Sequence, residues 1–134
     1  MKEDFVLKFD DRDREVVEIL RSLGVPRKVS NTIAFLANVQ EATSRDIERG
    51  SELRQPEVSI ALRTLRKNNW IDERVCTNAG TGRPMKVYKL STPIEEILRH
   101  YEEEKLREAS RAMERIEKLR NLLTDGPSDP ARSY

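Results

Sequence analysis

The sequence predicts a mainly α-helical fold with one small β-hairpin and a long closing helix, and three observations carry that expectation. Apolar residues recur at helical spacing over most of the chain, strand formers flank a glycine-rich stretch near residue 80, and residues 94–123 keep a narrow apolar stripe within a field of charge. At 134 residues, with 37% apolar and 37% charged side chains, the chain suits one modest core, one appended element and long solvated helix faces. The expected organisation is an N-terminal arm or strand at 1–10, a compact domain at 11–92, a helix at 93–123 and a disordered tail at 124–134.

Phe5, Leu7 and Phe9 alternate with Val6 and Lys8, which suits a short strand or extended arm with one apolar edge. From Asp11 to Leu23, Val16, Val17, Ile19, Leu20 and Leu23 recur at helical spacing, and Asp11, Asp13 and Glu15 lie where the helix dipole favours acids. Gly24 ends that helix. Pro26 opens a second one, lined on one face by Val29, Ile33, Ala34, Leu36 and Ala37 up to about Asn38. Both helices read as scaffold.

Thr43-Ser44-Arg45-Asp46 has the form of a capping box, so a short helix is expected through about Arg49 and is closed by Gly50. After a turn containing Ser51 and Glu52, Gln55-Pro56 opens another helix running to about Asn68, because proline at the first helical position has no amide bond to lose. Two short helices across a glycine-containing turn outline a helix-turn-helix. Trp70–Val75 and Val87–Leu90 then read as strands around the tip Ala79-Gly80-Thr81-Gly82-Arg83-Pro84. Ser91-Thr92-Pro93 is expected to cap the last helix, Ile94 to Leu123, and no internal repeat is visible.

Net charge is only +1, yet residues 43–90 carry ten Lys or Arg against six acids, an excess of four that fits a modest phosphate-binding surface. In the helix from Gln55, the core side takes Val58, Ala61, Leu62 and Leu65, which turns Pro56, Ser59, Ile60, Arg63, Thr64 and Lys67 outward at 100° per residue. Gln55, Ser59 and Arg63 offer amide, hydroxyl and guanidinium groups suited to base edges in a major groove, with Arg54, Arg66 and Lys67 nearer phosphates. Taken alone, such a face also suits any solvated amphipathic helix. The basic hairpin shifts the balance, since Gly80 and Gly82 free its tip and Arg83 and Lys86 stand where a minor groove would lie. The candidate DNA contacts also include Ser44 and Arg45 at the start of the first short helix and Thr81 at the hairpin tip.

Other classes find little support in the residues. No nucleophile, base and oxyanion-donor set can be assembled, so no catalytic residue is named and an enzyme is not expected. His100 stands alone on a charged helix and Cys76 on a strand, so neither a metal nor a cofactor is expected. Glycines 80 and 82 precede no phosphate-binding Lys-Ser pair. No apolar run approaches the roughly 20 residues that span a bilayer, and the acidic Met1-Lys2-Glu3-Asp4 start lacks the form of a signal peptide. A cytoplasmic protein without membrane contact is therefore expected, with Cys76 reduced; an intermolecular bridge remains a formal alternative.

Ala42-Thr43-Ser44-Arg45-Asp46-Ile47, Leu53-Arg54-Gln55-Pro56-Glu57-Val58-Ser59, Leu62-Arg63-Thr64-Leu65, Trp70-Ile71, Gly82-Arg83-Pro84 and Val87-Tyr88-Lys89-Leu90 together resemble archaeal winged helix-turn-helix regulators related to the ArsR, MarR and TrmB groups. The resemblance covers roughly residues 25–92. It implies a winged helix-turn-helix domain, operator binding by a dimer, and recognition through Gln55, Pro56, Ser59 and Arg63 with Arg83 in the wing. Metal-sensing ArsR proteins carry Cys or His clusters, which Cys76 and His100 do not supply, and the large effector domain of longer TrmB proteins is missing.

The last helix, about 45 Å long at 1.5 Å per residue, outreaches one winged domain. Its stripe of Leu98, Tyr101, Leu106, Ala109, Ala112, Met113, Ile116, Leu119 and Leu123 would be covered by the same helix of a second chain, making it a dimerisation element. Folding back on its own domain is the alternative. Lys105 and Glu108 interrupt any strict seven-residue repeat, so an antiparallel or splayed pair fits as readily as a coiled coil. The expected function is a homodimeric, sequence-specific regulator that binds double-stranded DNA, its small-molecule effector, if any, unknown; the rival is a winged-helix module for protein contacts in transcription or chromosome machinery.

Overall fold

The computed structural model describes residues 9–77 and 82–124, which form five helices and three strands. In chain order these are α1 (Asp11–Ser22), α2 (Arg27–Leu36), β1 (Ala42–Thr43), α3 (Ser44–Ser51), α4 (Gln55–Lys67), β2 (Ile71–Thr77), β3 (Pro84–Leu90) and α5 (Ile94–Thr124). The architecture is that of a winged helix-turn-helix: α3 and α4 are the paired short helices and β2 and β3 the wing. The chain separates into two units, one up to Ile97 and one from Leu98. Most of the expected N-terminal arm, the wing tip with Ala79, Gly80 and Thr81, and the expected tail beyond Thr124 lie outside the described residues.

Helix α2 occupies the centre of the first unit. All eight residues from Val29 to Leu36 are buried, so it packs on every side and not along a single stripe. Its buried polar side chains each donate to a backbone carbonyl, while Asn31 Oδ1 has no partner among the described residues. Ser30 donates to Val25 O at 3.2 Å, Thr32 to Lys28 O at 2.9 Å, and the Asn31 amide to Ser51 O at 2.8 Å, which ties α2 to the end of α3. Ala37, expected on the apolar face, lies exposed just past the helix end.

Local signals start the helices as their chemistry requires. Asp10 and Asp13 close a capping box at α1, and Thr43 and Asp46 close another at α3, each with reciprocal bonds of 2.9–3.1 Å. Gly24, with φ of 100°, turns the chain out of α1. The apolar side of α1 is less committed than its spacing suggests: Leu20 is buried, whereas Val16, Ile19 and Leu23 are exposed.

Gly50 corrects a sequence expectation. It does not close α3, which continues through Ser51 to a left-handed cap at Glu52, φ 60°. Glycine stands at 50 because a side-chain carbon there would overlap the ring of Phe35, itself buried in α2. The close approach seats α3 against α2.

The sheet holds three strands in the order β1-β3-β2, all antiparallel. The two-residue strand β1 was not foreseen; Ala42 pairs with Tyr88 and Thr43 with Val87. One sheet face carries the buried Ala42, Ile71 and Tyr88, because pairs directly across a ladder share a face. A second correction concerns Ser91 and Thr92, whose hydroxyls donate to Asn69 O at 3.3 and 3.4 Å and so buckle the hairpin base to the turn after α4. The first turn of α5 instead closes on Pro93 O, which accepts from Glu96 and Ile97.

Gly50→Ala tests the close approach. Alanine gains about 1 kcal/mol of helix propensity, but overpacking against a buried ring costs about 1–3 kcal/mol, so net destabilisation is expected in urea melts. A melt unchanged or raised would show that Phe35 moves aside freely.

Candidate nucleic-acid interface

Helix α4 is anchored on one side. Val58, Ala61 and Leu65 are fully buried and Leu62 is 4% exposed, all within one arc of the helix. The opposite arc presents Gln55, Pro56, Ser59, Ile60, Arg63 and Lys67 to solvent. Every outward residue expected from the spacing is exposed except Thr64, which is half-buried and donates its hydroxyl to Ile60 O at 3.3 Å. Arg63, Lys67, Arg54 and Arg45 form no ion pair with any described residue. Ser44 is half-buried in the first turn of α3 and Arg45 is exposed beside it.

The N-terminus of α4 is built from Arg54 and Glu57. The Glu57 carboxylate accepts the Arg54 backbone N–H at 2.9 Å and pairs with Arg27 of α2 at 3.2 Å, so one side chain starts the helix and fixes its entry against the core. The Arg54 amide, and secondarily the Arg27 guanidinium, hold this carboxyl below its ordinary value of 4.5.

The wing flanks the same face. Ser59 and Arg66 are seven residues apart, about 20° on a helix, so they mark one edge of α4. Arg66 reaches from that edge to Glu73 of β2 at 3.2 Å. Glu73 also takes Lys86 of β3 at 3.3 Å. Arg66, read from sequence as lying nearer phosphates, and Lys86, read as a DNA contact of the wing, thus share one acid that no local pattern singled out. The ladder register alone reveals it: Glu73 pairs with Tyr88, which sets Lys86 diagonally opposite on the same sheet face.

On the other sheet face Arg74 forks onto Glu41 through two bonds of 2.8 and 3.0 Å, holding Glu41 below and Arg74 above their ordinary ranges. Arg74 thereby belongs to the join between the β1 approach and the wing. Arg83 is exposed where the described chain re-enters β3, and Thr81 lies outside the described residues.

Along α5, Leu98, Leu106, Met113, Ile116, Leu119 and Leu123 are exposed, from 41% at Leu98 to 64% at Met113, while Tyr101 is half-buried. The stripe residues, with Ala109 and Ala112, fall within about 140° of arc at 100° per residue. Leu122, 59% exposed, lies outside that arc and was not anticipated. Among the described residues, no helix is long and apolar enough to cross a membrane, and no three His, Cys, Asp or Glu side chains are grouped to hold a metal ion.

No protein-family profile matches the sequence, and no curated protein matches it. Solved structures do. A protein of Methanosarcina mazei Go1, described as a possible transcriptional regulator, superposes with a TM-score of 0.57 at 16% identity, covering 78% of this chain and 87% of that one. A MarR family transcription regulator gives 0.48 at 17% identity, covering 92% and 85%. MepR, a transcription regulator of the Staphylococcus aureus multidrug efflux pump MepA, gives 0.48 at 21% identity, covering 87% of each chain. At such identities the likeness is one of fold.

Glu57 makes the α4 start sensitive to acid. A carboxyl with a lowered value stabilises the fold fully above its ordinary value of 4.5, and that contribution is lost as pH falls through the lowered one. Glu57→Gln keeps an acceptor for the Arg54 amide but removes the charge. The substitution is expected to shrink the drop in melting temperature between about pH 6 and pH 3, leaving the part due to Glu41 and Asp10, which are lowered as well. Parallel pH profiles for the two proteins would refute this role.

Proposed function

We propose that this chain is a sequence-specific, double-stranded DNA-binding regulator of transcription that works as a homodimer. The observation that carries the reading is the one-sided burial of α4 beside a basic hairpin, which leaves a short polar face whose cations Arg63 and Lys67 have no acidic partner among the described residues. In this reading α4 enters the major groove. Gln55, Ser59 and Arg63 read base edges, Pro56, Ile60 and Thr64 make close apolar or short contacts, and Arg45, Arg54 and Lys67 meet phosphates, with Ser44 at the start of α3. The wing follows the backbone to the minor groove, led by Arg83 with Thr81 and Lys86.

The fold shared with the Methanosarcina mazei protein supports the architecture, and the archaeal ArsR, MarR and TrmB-like pattern of residues 25–92 belongs to the same proposal. So do the assignment of residues 11–92 to DNA binding and 93–123 to dimerisation, a cytoplasmic location, and a non-enzymatic role. The dimer is supported by the apolar stripe of α5, which a second copy would cover. Two domains fixed on one dimer add their binding free energies on a pseudo-palindromic site.

Two measurements test the reading. Affinity for duplex DNA is expected to fall linearly on a log-log plot against salt, and Arg63→Ala to relax base preference at one position, at about 1–3 kcal/mol. An unchanged preference in a binding-site selection would remove Arg63 from recognition, and failure to bind any duplex at low salt would favour a protein-contact module. Leu119→Glu, placing a charge in the stripe, is expected to shift the sedimenting mass from two chains to one and to weaken DNA binding with it. A wild-type chain that sediments as a monomer at all concentrations would overturn the dimer.

A further inference from the structure

We propose that Glu73 is a specificity-determining residue of the α4 face: it withholds Arg66 and Lys86 from DNA phosphates, so that binding depends on base readout more than on charge. The proposal rests on the DNA-binding reading above and concerns the same surface.

Its two carboxylate oxygens are divided between two elements. Oε1 lies 3.2 Å from the Arg66 guanidinium of α4, and Oε2 lies 3.3 Å from the Lys86 ammonium of β3. Two cations thus share one anion between the outer edge of the helix and the wing, where a phosphate backbone would pass. Arg63 and Lys67, one turn or less away, have no carboxylate partner among the described residues. The acid therefore discriminates among the cations of the face.

Folding does not require this bridge. The Arg66, Lys86 and Glu73 side chains are 52%, 59% and 30% exposed, and exposed pairs of this kind contribute little to stability. The hairpin is already held by a seven-residue ladder from Ile71–Leu90 to Thr77–Pro84. The consequence lies in binding. A phosphate can engage Arg66 or Lys86 only against the repulsion of Glu73, which weakens the sequence-independent attraction, while Gln55, Ser59 and Arg63 keep their access to bases.

The test uses the full chain and a random-sequence duplex, titrated by fluorescence anisotropy at several salt concentrations. Glu73→Gln is expected to bind this duplex about 3- to 10-fold more tightly at low salt, with a salt slope steeper by about 1–2, since each added phosphate contact contributes about 0.9. Glu15→Gln, the same charge change at an exposed position on α1, is expected to shift both far less. Arg66→Gln and Lys86→Gln should each weaken random-duplex binding more in the Glu73→Gln background than in the wild type, so that either comparison decides if the other double variant folds poorly. Equal affinity and slope for wild type and Glu73→Gln, or weaker binding by the variant, would overturn the proposal while leaving DNA binding intact. A wild-type chain that binds no duplex overturns both.

Discussion

Four side chains on one side of α4 hold that helix to the fold, and the rest of the molecule's proposed behaviour depends on their burial. Val58, Ala61, Leu62 and Leu65 are buried, and α4 packs against a central helix that is itself buried over eight consecutive residues. Burying a Val or Leu side chain contributes about 1.5–3 kcal/mol, so the anchor outweighs any single surface ion pair by several-fold. An amphipathic helix held this firmly has no structural use for its other side. Its outward composition is free to be set by a partner, and here that composition is short, polar and cationic.

Charge is distributed with more discrimination than the net value suggests. Of the cations concentrated between residues 43 and 90, Arg74 braces the sheet through Glu41, Arg66 and Lys86 converge on Glu73, and Arg45, Arg54, Arg63 and Lys67 remain without an acidic partner among the described residues. Counting basic residues overstates the cationic face, because three of them are already engaged with carboxylates. Arg45, Arg54, Arg63 and Lys67 lie on the outward arc of α4 and at the starts of α3 and α4. In the proposed reading these are the positions offered to a groove, while the paired cations are held back by their carboxylates.

Features governed by neighbours in sequence were legible in the sequence. The Thr43 capping box, the helix start at Gln55-Pro56 and the split of α4 into buried and outward residues each depend on contacts within about one helical turn, and each occurs where the spacing predicted it, save that Pro56 is the second helical residue and Thr64 is half-buried. The winged helix-turn-helix architecture followed from their order. What escaped notice was set at a distance. A strand of two residues, Ala42 and Thr43, exists only because β3 lies beside it; Glu73 matters only through the ladder register and the reach of Arg66. Polar residues inside α2 disguised a helix buried all round, and Ser91 and Thr92 resemble caps until their hydroxyls are seen to reach Asn69. The exposed Val16 and Ile19 on α1 show the converse, apolar spacing without burial in this chain.

Gly50 was misread for a related reason, since a glycine late in a helix signals an end only when nothing presses against it. The overlap with Phe35 joins two positions fifteen residues apart into one steric unit. Evolutionary drift must respect that unit: a bulkier residue can enter at 50 only alongside a smaller one at 35. Divergent relatives of this chain should therefore vary the two sites in opposite directions, keeping their combined volume nearly constant even where little else of the sequence survives.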